Sequence, residues 1–350
     1  MTRAEPETPS SAAREHWPDN LRCLATLAVV LLHTCAFRVT DDPDPQSAGW
    51  QLANLLDSAC RWSVPAFVML SGSLLIPKLD GASPSEFYRK RLARLLLPTL
   101  FWTVVYVAWS AYRNGRFDAK QVVVSLFMGN VYHHLWFLYM IAGLYLAAPF
   151  IARFVKSMDT ATNWRVWTGV FLLLWPHAAL CVVWNTPGTV FAAWVPFIPY
   201  FVLGHLLSQH EHPLNWRMLA VGFLLAVGGI AAATSILIHL GKPYAFNLCY
   251  GYFNPLVTAS AVAIFLIARM RLTAPNEVAR RISLVSLGIY LVHPLVLDLL
   301  KLAGIAATGR PTAVWLPLTF LITVAVSYGV CAAFRRVRFS LAEARSKEHS

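Results

Sequence analysis

The chain alternates between long apolar blocks and short polar segments. From Asn20 onward the apolar blocks have roughly 18 to 25 residues each, the length that crosses a bilayer as an α-helix. The pattern therefore predicts an all-α, polytopic membrane protein with about ten transmembrane helices. The predicted spans lie near residues 21–38, 51–76, 95–112, 135–153, 164–184, 191–208, 216–239, 251–269, 285–302 and 313–334.

The segments outside these blocks are short. Residues 1–17 are rich in Pro, Ser, Ala and Glu and predict a disordered cytoplasmic tail. Residues 18–339 then form the transmembrane domain, and residues 340–350 form a second cytoplasmic tail. Between the third and fourth spans, Val122 to Met128 is apolar but too short to cross a bilayer, which predicts a re-entrant or interfacial helix.

Composition and charge agree with this architecture. The 350 residues are 57% hydrophobic and 13% charged, whereas a soluble domain has about 25% charged residues. This excludes a soluble enzyme, a nucleic-acid-binding protein and a disulfide scaffold. Placing the N-terminus inside puts 21 of the 29 Lys and Arg residues in cytoplasmic segments and seven on the other side, so both termini are predicted to be cytoplasmic. The six scattered cysteines are interpreted as small buried side chains.

Ionisable residues inside spans are the most informative, because a charge at the bilayer centre costs about 2.5 to 3.5 kcal/mol. Arg22 and His33 interrupt the first span and lie eleven residues apart. That spacing places them on one helix face, about 16 Å apart along the axis. Arg22 could bind a phosphate at the membrane edge and His33 could accept a proton deep in the bilayer. Alternatively, Arg22 extends to lipid headgroups and His33 bonds a neighbouring helix.

Two further groups of charges have similar alternatives. Asp57 and Arg61 lie four residues apart in the second span and can form a structural ion pair. Arg91 and Arg94 project together at the start of the third span. Positive-inside topology explains this second pair, but the two guanidinium groups could also bind the phosphates of a cytosolic cofactor.

Polar stripes occur in the fourth and ninth spans. The fourth span opens with an aromatic belt that contains His133 and His134, which face different ways without a nearby carboxylate, so no metal site is expected. The ninth span carries Ser286, Tyr290 and His293 on one face, which lines either a helix contact or a cavity. Buried carboxylates are scarce after the second span, which disfavours a proton- or sodium-coupled transporter.

Five motifs occur in order along the chain. They are N-L-R-C-L-A-T-L-A-V-V-L-L-H ending at His33, V-P-A-F-V-M-L-S-G from Val64, R-L-A-R from Arg91, H-L-W-F-L from His134 and S-L-G-I-Y-L-V-H from Ser286. Together they resemble the acyltransferase-3 family of integral membrane acyltransferases. Within the family, the chain is similar to the inner-membrane O-acetyltransferases of surface polysaccharides, such as the one acting on enterobacterial common antigen. Cys23, where relatives often have Gly, and Ala66, where a larger apolar residue is usual, are small departures that remove no reactive group.

The resemblance implies transfer of an acyl group, usually acetyl, from cytosolic acyl-CoA to a hydroxyl of a glycan or glycolipid in the bacterial inner membrane. It implies that Arg22 and His33 are essential, and Arg91 and Arg94 match the paired arginines of the family motif. The mechanistic hypothesis built on it is that Arg91, Arg94 and Arg22 bind acetyl-CoA and that His33 is the general base. Direct attack and a covalent acyl-enzyme both remain open. Further candidates to orient the acceptor or stabilise the oxyanion are Ser286, Tyr290, His293, His134 and Asp57.

Two other classes of function are also consistent with the residues. A transporter or exporter of a glycan or small metabolite would place His33 and the Asp57/Arg61 pair along a conduit, and matching Gly or Pro breaks in both halves would favour it. A scaffold subunit that only binds lipid-linked intermediates would not need His33. If the protein is an acyltransferase, the expected partners are acyl-CoA, the acceptor and the lipid bilayer, with no metal and no nucleic acid.

Overall fold

The computed structural model describes residues 15–42, 44–79, 83–186, 188–209, 213–305 and 311–348. Within these ranges the chain forms helices, turns and loops without a β-strand. The α-helices are α1 (Trp17–Asp41), α2 (Ala48–Ser58), α3 (Ser63–Leu75), α4 (Pro84–Asn114), α5 (Ala119–Met128), α6 (Trp136–Lys156), α7 (Thr160–Val183), α8 (Ile198–Gln209), α9 (Trp216–His239), α10 (Ala245–Cys249), α11 (Pro255–Arg271), α12 (Glu277–Leu284), α13 (Ser286–Leu302) and α14 (Thr312–Glu348).

The polytopic all-α prediction is confirmed, and every predicted span contains helix. In the described ranges seven helical segments are long and apolar enough to cross a membrane, and the pair α12 and α13, bent by 72°, raises this number to eight. The two other predicted spans correspond to α8 and α11, which have 12 and 17 residues. The short apolar segment after the third span is helical, as α5. The count of ten spans and the side of the termini stay predictions.

The second predicted span, 51–76, is not one continuous helix. Helix α2 ends at Ser58, a turn covers residues 59–62, and α3 begins at Ser63. Pro65 explains the break, because proline lacks an amide N–H and its ring clashes with the carbonyl four residues earlier, that of Arg61. The break lies beside the ion pair that the sequence placed on a single helix.

Helix α1 is the central element of the bundle. It packs against α2, α3, α11, α12, α13 and α14, and 14 of its 25 residues are buried. Helices α4 and α7 lie at the periphery instead, with large apolar side chains such as Leu97 and Leu173 about 70% exposed. Exposed apolar helix faces are what a bilayer covers. More than half of the α1 residues therefore lie in the interior of the protein.

Helices α3 and α8 approach each other through two glycines. A side chain at Gly72 would collide with the backbone of Phe201, and one at Gly204 would collide with the backbone of Met69. Small residues allow helix backbones in membranes to pack closely. This contact fixes α3 beside the core of the bundle.

Of the predicted tails, residues 1–14 lie outside the described residues, and α1 begins at Trp17. Helix α14 continues to Glu348, so residues 340–348 are helical. The domain boundaries stay predictions. All six cysteines are free; four are buried, and Cys181 and Cys331 are partly buried.

Candidate active site

Two pockets lie at opposite ends of α1. The first, here called the arginine pocket, includes Asp19 and Arg22 near the start of the helix and has a volume of about 450 Å³. The second, here called the histidine pocket, extends along α1 from Val29 to Thr40 and has a volume of about 640 Å³. Both volumes lie in the range of small-molecule sites, about 300 to 1,000 Å³.

The arginine pocket is positively charged. Its wall carries three guanidinium groups, those of Arg22, Arg91 and Arg94, and one carboxylate, that of Asp19. Arg22 is held in place, because its Nη1 donates to Asp19 Oδ1 at 3.2 Å and to Ser283 Oγ at 3.0 Å. Ser283 Oγ in turn donates to Asp19 at 2.8 Å. A fixed arginine beside two further ones can bind a phosphate-bearing ligand.

Four histidines from three parts of the chain form a cluster, and three of them, His33, His133 and His134, line the histidine pocket. The ring of His33 lies 5.0 Å from that of His133 and 5.2 Å from that of His293, measured between ring centroids. The ring of His134 lies 5.5 Å from that of His133 and 5.9 Å from that of His293. His133 and His134 come from the turn before α6, whereas His293 comes from α13. No group with metal-ligand geometry is found among the described residues.

The tautomer of His293 follows from its hydrogen bond. Its Nδ1 lies 3.0 Å from the carbonyl oxygen of Ile289, which can only accept, so Nδ1 carries the proton. The Nε2 atom of a neutral ring then keeps its lone pair, and it is buried without a hydrogen-bond partner in the described part of the chain. His293 can therefore accept a hydrogen bond inside the cluster.

Asp57 and Arg61 also line the histidine pocket. They form an ion pair of 2.5 Å with side chains 1% and 13% exposed. The Arg61 guanidinium lies 3.9 Å above the ring of Tyr250, whose hydroxyl donates to Asn54 Oδ1 at 2.6 Å. In the arginine pocket Asp19 likewise pairs with an arginine, Arg22, so both carboxylates neutralise a neighbouring guanidinium group.

A family model described as an acyltransferase domain, acyltransferase-3, matches residues 15–332 of the 350. The chain belongs to the acyltransferase-3 family. No curated protein and no solved structure matches it. The matched range contains both pockets, and the protein is a multi-pass membrane acyltransferase. The resemblance seen in the sequence is thus confirmed for the family.

The predicted site residues of this acyltransferase line the two pockets, except His293, which lies in the histidine cluster beside His33. Arg22, Arg91, Arg94 and Ser286 line the arginine pocket, and His33, Asp57 and His134 line the histidine pocket. Tyr290 lies in the wall of both, and its hydroxyl donates to the backbone carbonyl of His134. The serine of the predicted Ser286, Tyr290 and His293 stripe is thus separated from the histidines. The roles assigned to these residues stay predictions.

Sequence reasoning missed the residues that hold the turn carrying His133 and His134. Asp298 is 7% exposed and accepts hydrogen bonds from Trp109 Nε1, at 2.6 Å, and from the hydroxyl of Tyr132. The Tyr132 ring stacks on that of Tyr106 at 4.4 Å, and the Tyr106 hydroxyl donates to the backbone of Leu291. The only available signal was that Asp298 is an isolated carboxylate in a late span. Through Tyr132, Asp298 connects the turn that carries His133 to α13, the helix that carries His293.

Replacing Asp298 with alanine should destabilise the acyltransferase by about 1 to 3 kcal/mol, because two partly buried donors, those of Trp109 and Tyr132, lose their acceptor. The measurement is the thermal unfolding midpoint in detergent, compared with the wild-type protein. Asp44→Ala is the matched control, since Asp44 is an exposed loop aspartate whose side chain accepts from a nearby backbone amide. Equal midpoints for Asp298→Ala and Asp44→Ala would contradict the anchoring role.

Proposed function

We propose that this acyltransferase moves an acetyl group from cytosolic acetyl-CoA to a hydroxyl of a cell-surface glycan or glycolipid precursor in the bacterial inner membrane. The observation that supports the proposal is the arrangement of the two pockets. A single helix, α1, carries an arginine into one pocket and a histidine into the other. About 16 Å of helix separates Arg22 from His33, so a donor with a long flexible arm is required to connect them.

The proposed orientation places the arginine pocket on the cytoplasmic side. The asymmetry of Lys and Arg along the chain supports this orientation, with both termini inside. CoA is a cytosolic anion, and Arg22, Arg91 and Arg94 would bind its phosphates by charge-assisted hydrogen bonds. The pantetheine arm would then extend along α1 towards the histidine pocket, passing Ser286 and Tyr290.

The acceptor would enter the histidine pocket from the opposite side. The rings of Trp136 and Tyr252 lie 5.4 Å apart in its wall, and such flat amphipathic faces suit the C–H face of a sugar. In the proposed reaction His33 takes the proton of the acceptor hydroxyl as its oxygen attacks the thioester carbonyl carbon. The C–S bond then breaks, and the CoA thiolate leaves and takes the proton from His33. General-base help of this kind contributes about 10² to 10⁴ in rate.

The neighbouring side chains have supporting roles in this proposal. His293 holds a lone pair in the cluster beside His33 and would orient its ring. His134 would contact the acceptor. Asp57 would neutralise Arg61 and so keep a net charge out of the pocket beside the base. Tyr290 would position the reacting groups with its ring from the wall between the two pockets, because its hydroxyl already donates to the backbone carbonyl of His134.

The test is acetyl-CoA turnover by the purified protein in nanodiscs, with membrane glycolipid extract as acceptor. Release of free CoA and transfer of radiolabelled acetyl to the extract are measured together. We expect both with the wild-type protein. If the protein neither binds nor turns over acetyl-CoA with the extract present, the proposal fails and the transporter becomes the working hypothesis.

The double substitution Arg91→Ala and Arg94→Ala should weaken acetyl-CoA binding by about tenfold or more. The two charge-assisted contacts to phosphate that it removes are worth about 1.5 to 3 kcal/mol each when fully formed, and less at an exposed site. The measurement is the dissociation constant for acetyl-CoA, by equilibrium binding in nanodiscs at constant ionic strength.

Arg165→Ala is the control for this pair, because Arg165 is an exposed arginine of α7 outside both pockets. Its dissociation constant should match that of the wild type. If the double variant and the control bind acetyl-CoA equally, the arginine pocket does not hold the CoA phosphates.

A further inference from the structure

The arginine pocket and the histidine pocket share two wall residues, Phe137 and Tyr290. Phe137 lies in the first turn of α6, and Tyr290 lies in α13, one turn before His293. Their ring centroids are 5.5 Å apart. The two rings therefore stand in contact between the pocket that holds the arginines and the pocket that holds His33.

The two rings are held in different ways. Tyr290 donates its hydroxyl to the backbone carbonyl of His134, and its ring contacts that of His134 at 5.3 Å. Phe137 is held by ring contacts, with Tyr290, with Phe67 at 6.1 Å and with Trp136 at 6.2 Å. Since a phenyl ring has no hydrogen bond to lose, Phe137 can turn aside at a lower cost than Tyr290. The two rings thus form a partition between the pockets, with one anchored side, Tyr290, and one movable side, Phe137.

We propose that Phe137 and Tyr290 form the aperture through which the acyl group passes from the arginine pocket to His33, and that this aperture restricts the donor to short acyl groups. The proposal rests on the acyl-CoA function proposed above. A short acyl group needs a small displacement of the Phe137 ring. Each added methylene must pass the same contact or displace packed side chains, and overpacking a closely packed site is unfavourable.

The first experiment compares acetyl-CoA with butyryl-CoA and hexanoyl-CoA as donors. Phe137→Ala should raise the ratio of kcat/KM for butyryl-CoA to that for acetyl-CoA by about tenfold or more, since a methylene in a restrictive pocket changes kcat/KM by about 10- to 200-fold. Phe137→Leu, which keeps an apolar side chain, should give an intermediate ratio and covers the case in which the alanine variant folds poorly. An unchanged ratio in both variants overturns the size selection.

The control lies on the same helix. Phe150 of α6 is 67% exposed and belongs to neither pocket. Phe150→Ala should keep the wild-type ratio of the two donors. If Phe150→Ala shifts the ratio as much as Phe137→Ala does, the effect comes from loosening α6 and the aperture is overturned.

A second experiment tests the partition without acyl transfer. Ala36→Cys places a thiol in the wall of the histidine pocket, and a small impermeant methanethiosulfonate is applied to each side of oriented vesicles in turn. We expect labelling from one side only, and from both sides when Phe137→Ala is added. Two-sided labelling with Phe137 intact overturns the partition. One-sided labelling that Phe137→Ala makes two-sided, in a protein that does not use acyl-CoA, would uphold the partition and contradict only the proposed function.

Discussion

Replacing His33 with alanine should lower the rate of acyl transfer by about 10² to 10⁴, with little change in the dissociation constant for acetyl-CoA. In the proposed function the imidazole accepts the hydroxyl proton, and general-base catalysis has this magnitude. In the proposed function the donor phosphates bind about 16 Å away at Arg22, so ground-state binding should not depend on His33. The measurement is kcat from free CoA release, with binding measured on the same preparation.

A control and a chemical rescue separate catalysis from folding. His239→Ala removes an exposed histidine that bonds the side chain of Gln46, and it should keep the wild-type rate. Added imidazole should partly restore the rate of His33→Ala, because it can occupy the space left by the side chain and accept the proton. A rate for His33→Ala above about one tenth of the wild type would argue against a base role, and would fit the scaffold or transporter hypotheses better.

The membrane architecture was predictable because the bilayer limits the possible structures. Backbone groups inside the hydrocarbon core must be paired within the segment, so long apolar blocks become helices. The Arg22 and His33 pair was predictable for a similar reason, since both lie on one unbroken helix whose geometry fixes their separation. Features that depend on a single helix could therefore be predicted from the sequence alone.

The histidine cluster depends on tertiary packing and could not be predicted in this way. His33, His133 and His293 belong to segments far apart in the chain, and only the packing of α13 and the turn before α6 around α1 brings their rings together. The sequence assigned His133 to an interfacial aromatic belt, which describes its position along the chain but not its neighbours. The anchor through Asp298 was missed for the same reason.

The stripe on α13 shows that a shared helix face does not mean a shared site. Ser286 and His293 are seven residues apart, which is about 10 Å along the axis. That distance is enough to place Ser286 in the arginine pocket and His293 in the cluster around His33. Tyr290 lies between them, in the wall that the two pockets share.

Replacing Asp57 with asparagine should lower the thermal unfolding midpoint strongly, and further than Asp298→Ala does. It leaves the Arg61 guanidinium charged and nearly buried without its carboxylate, and breaking a buried ion pair in this way costs about 3 to 5 kcal/mol. For a chain of this size, at about 2 °C per kcal/mol, the midpoint should fall by roughly 6 to 10 °C. The measurement is thermal unfolding in detergent.

The double variant Asp57→Leu with Arg61→Met shows whether the ion pair itself stabilises the fold. The alternative is that Asp57→Asn destabilises the protein only because it leaves the Arg61 charge unpaired. Replacing both charges with apolar side chains is often neutral, so its midpoint should return close to that of the wild type. Glu277→Gln is the surface control; its carboxylate pairs with Arg280 and Arg281 on the exposed side of α12, where an ion pair adds little stability. Equal midpoints for Asp57→Asn and Glu277→Gln would show that Arg61 is solvated through the histidine pocket. The stability of the folded bundle would then not depend on neutralising Arg61.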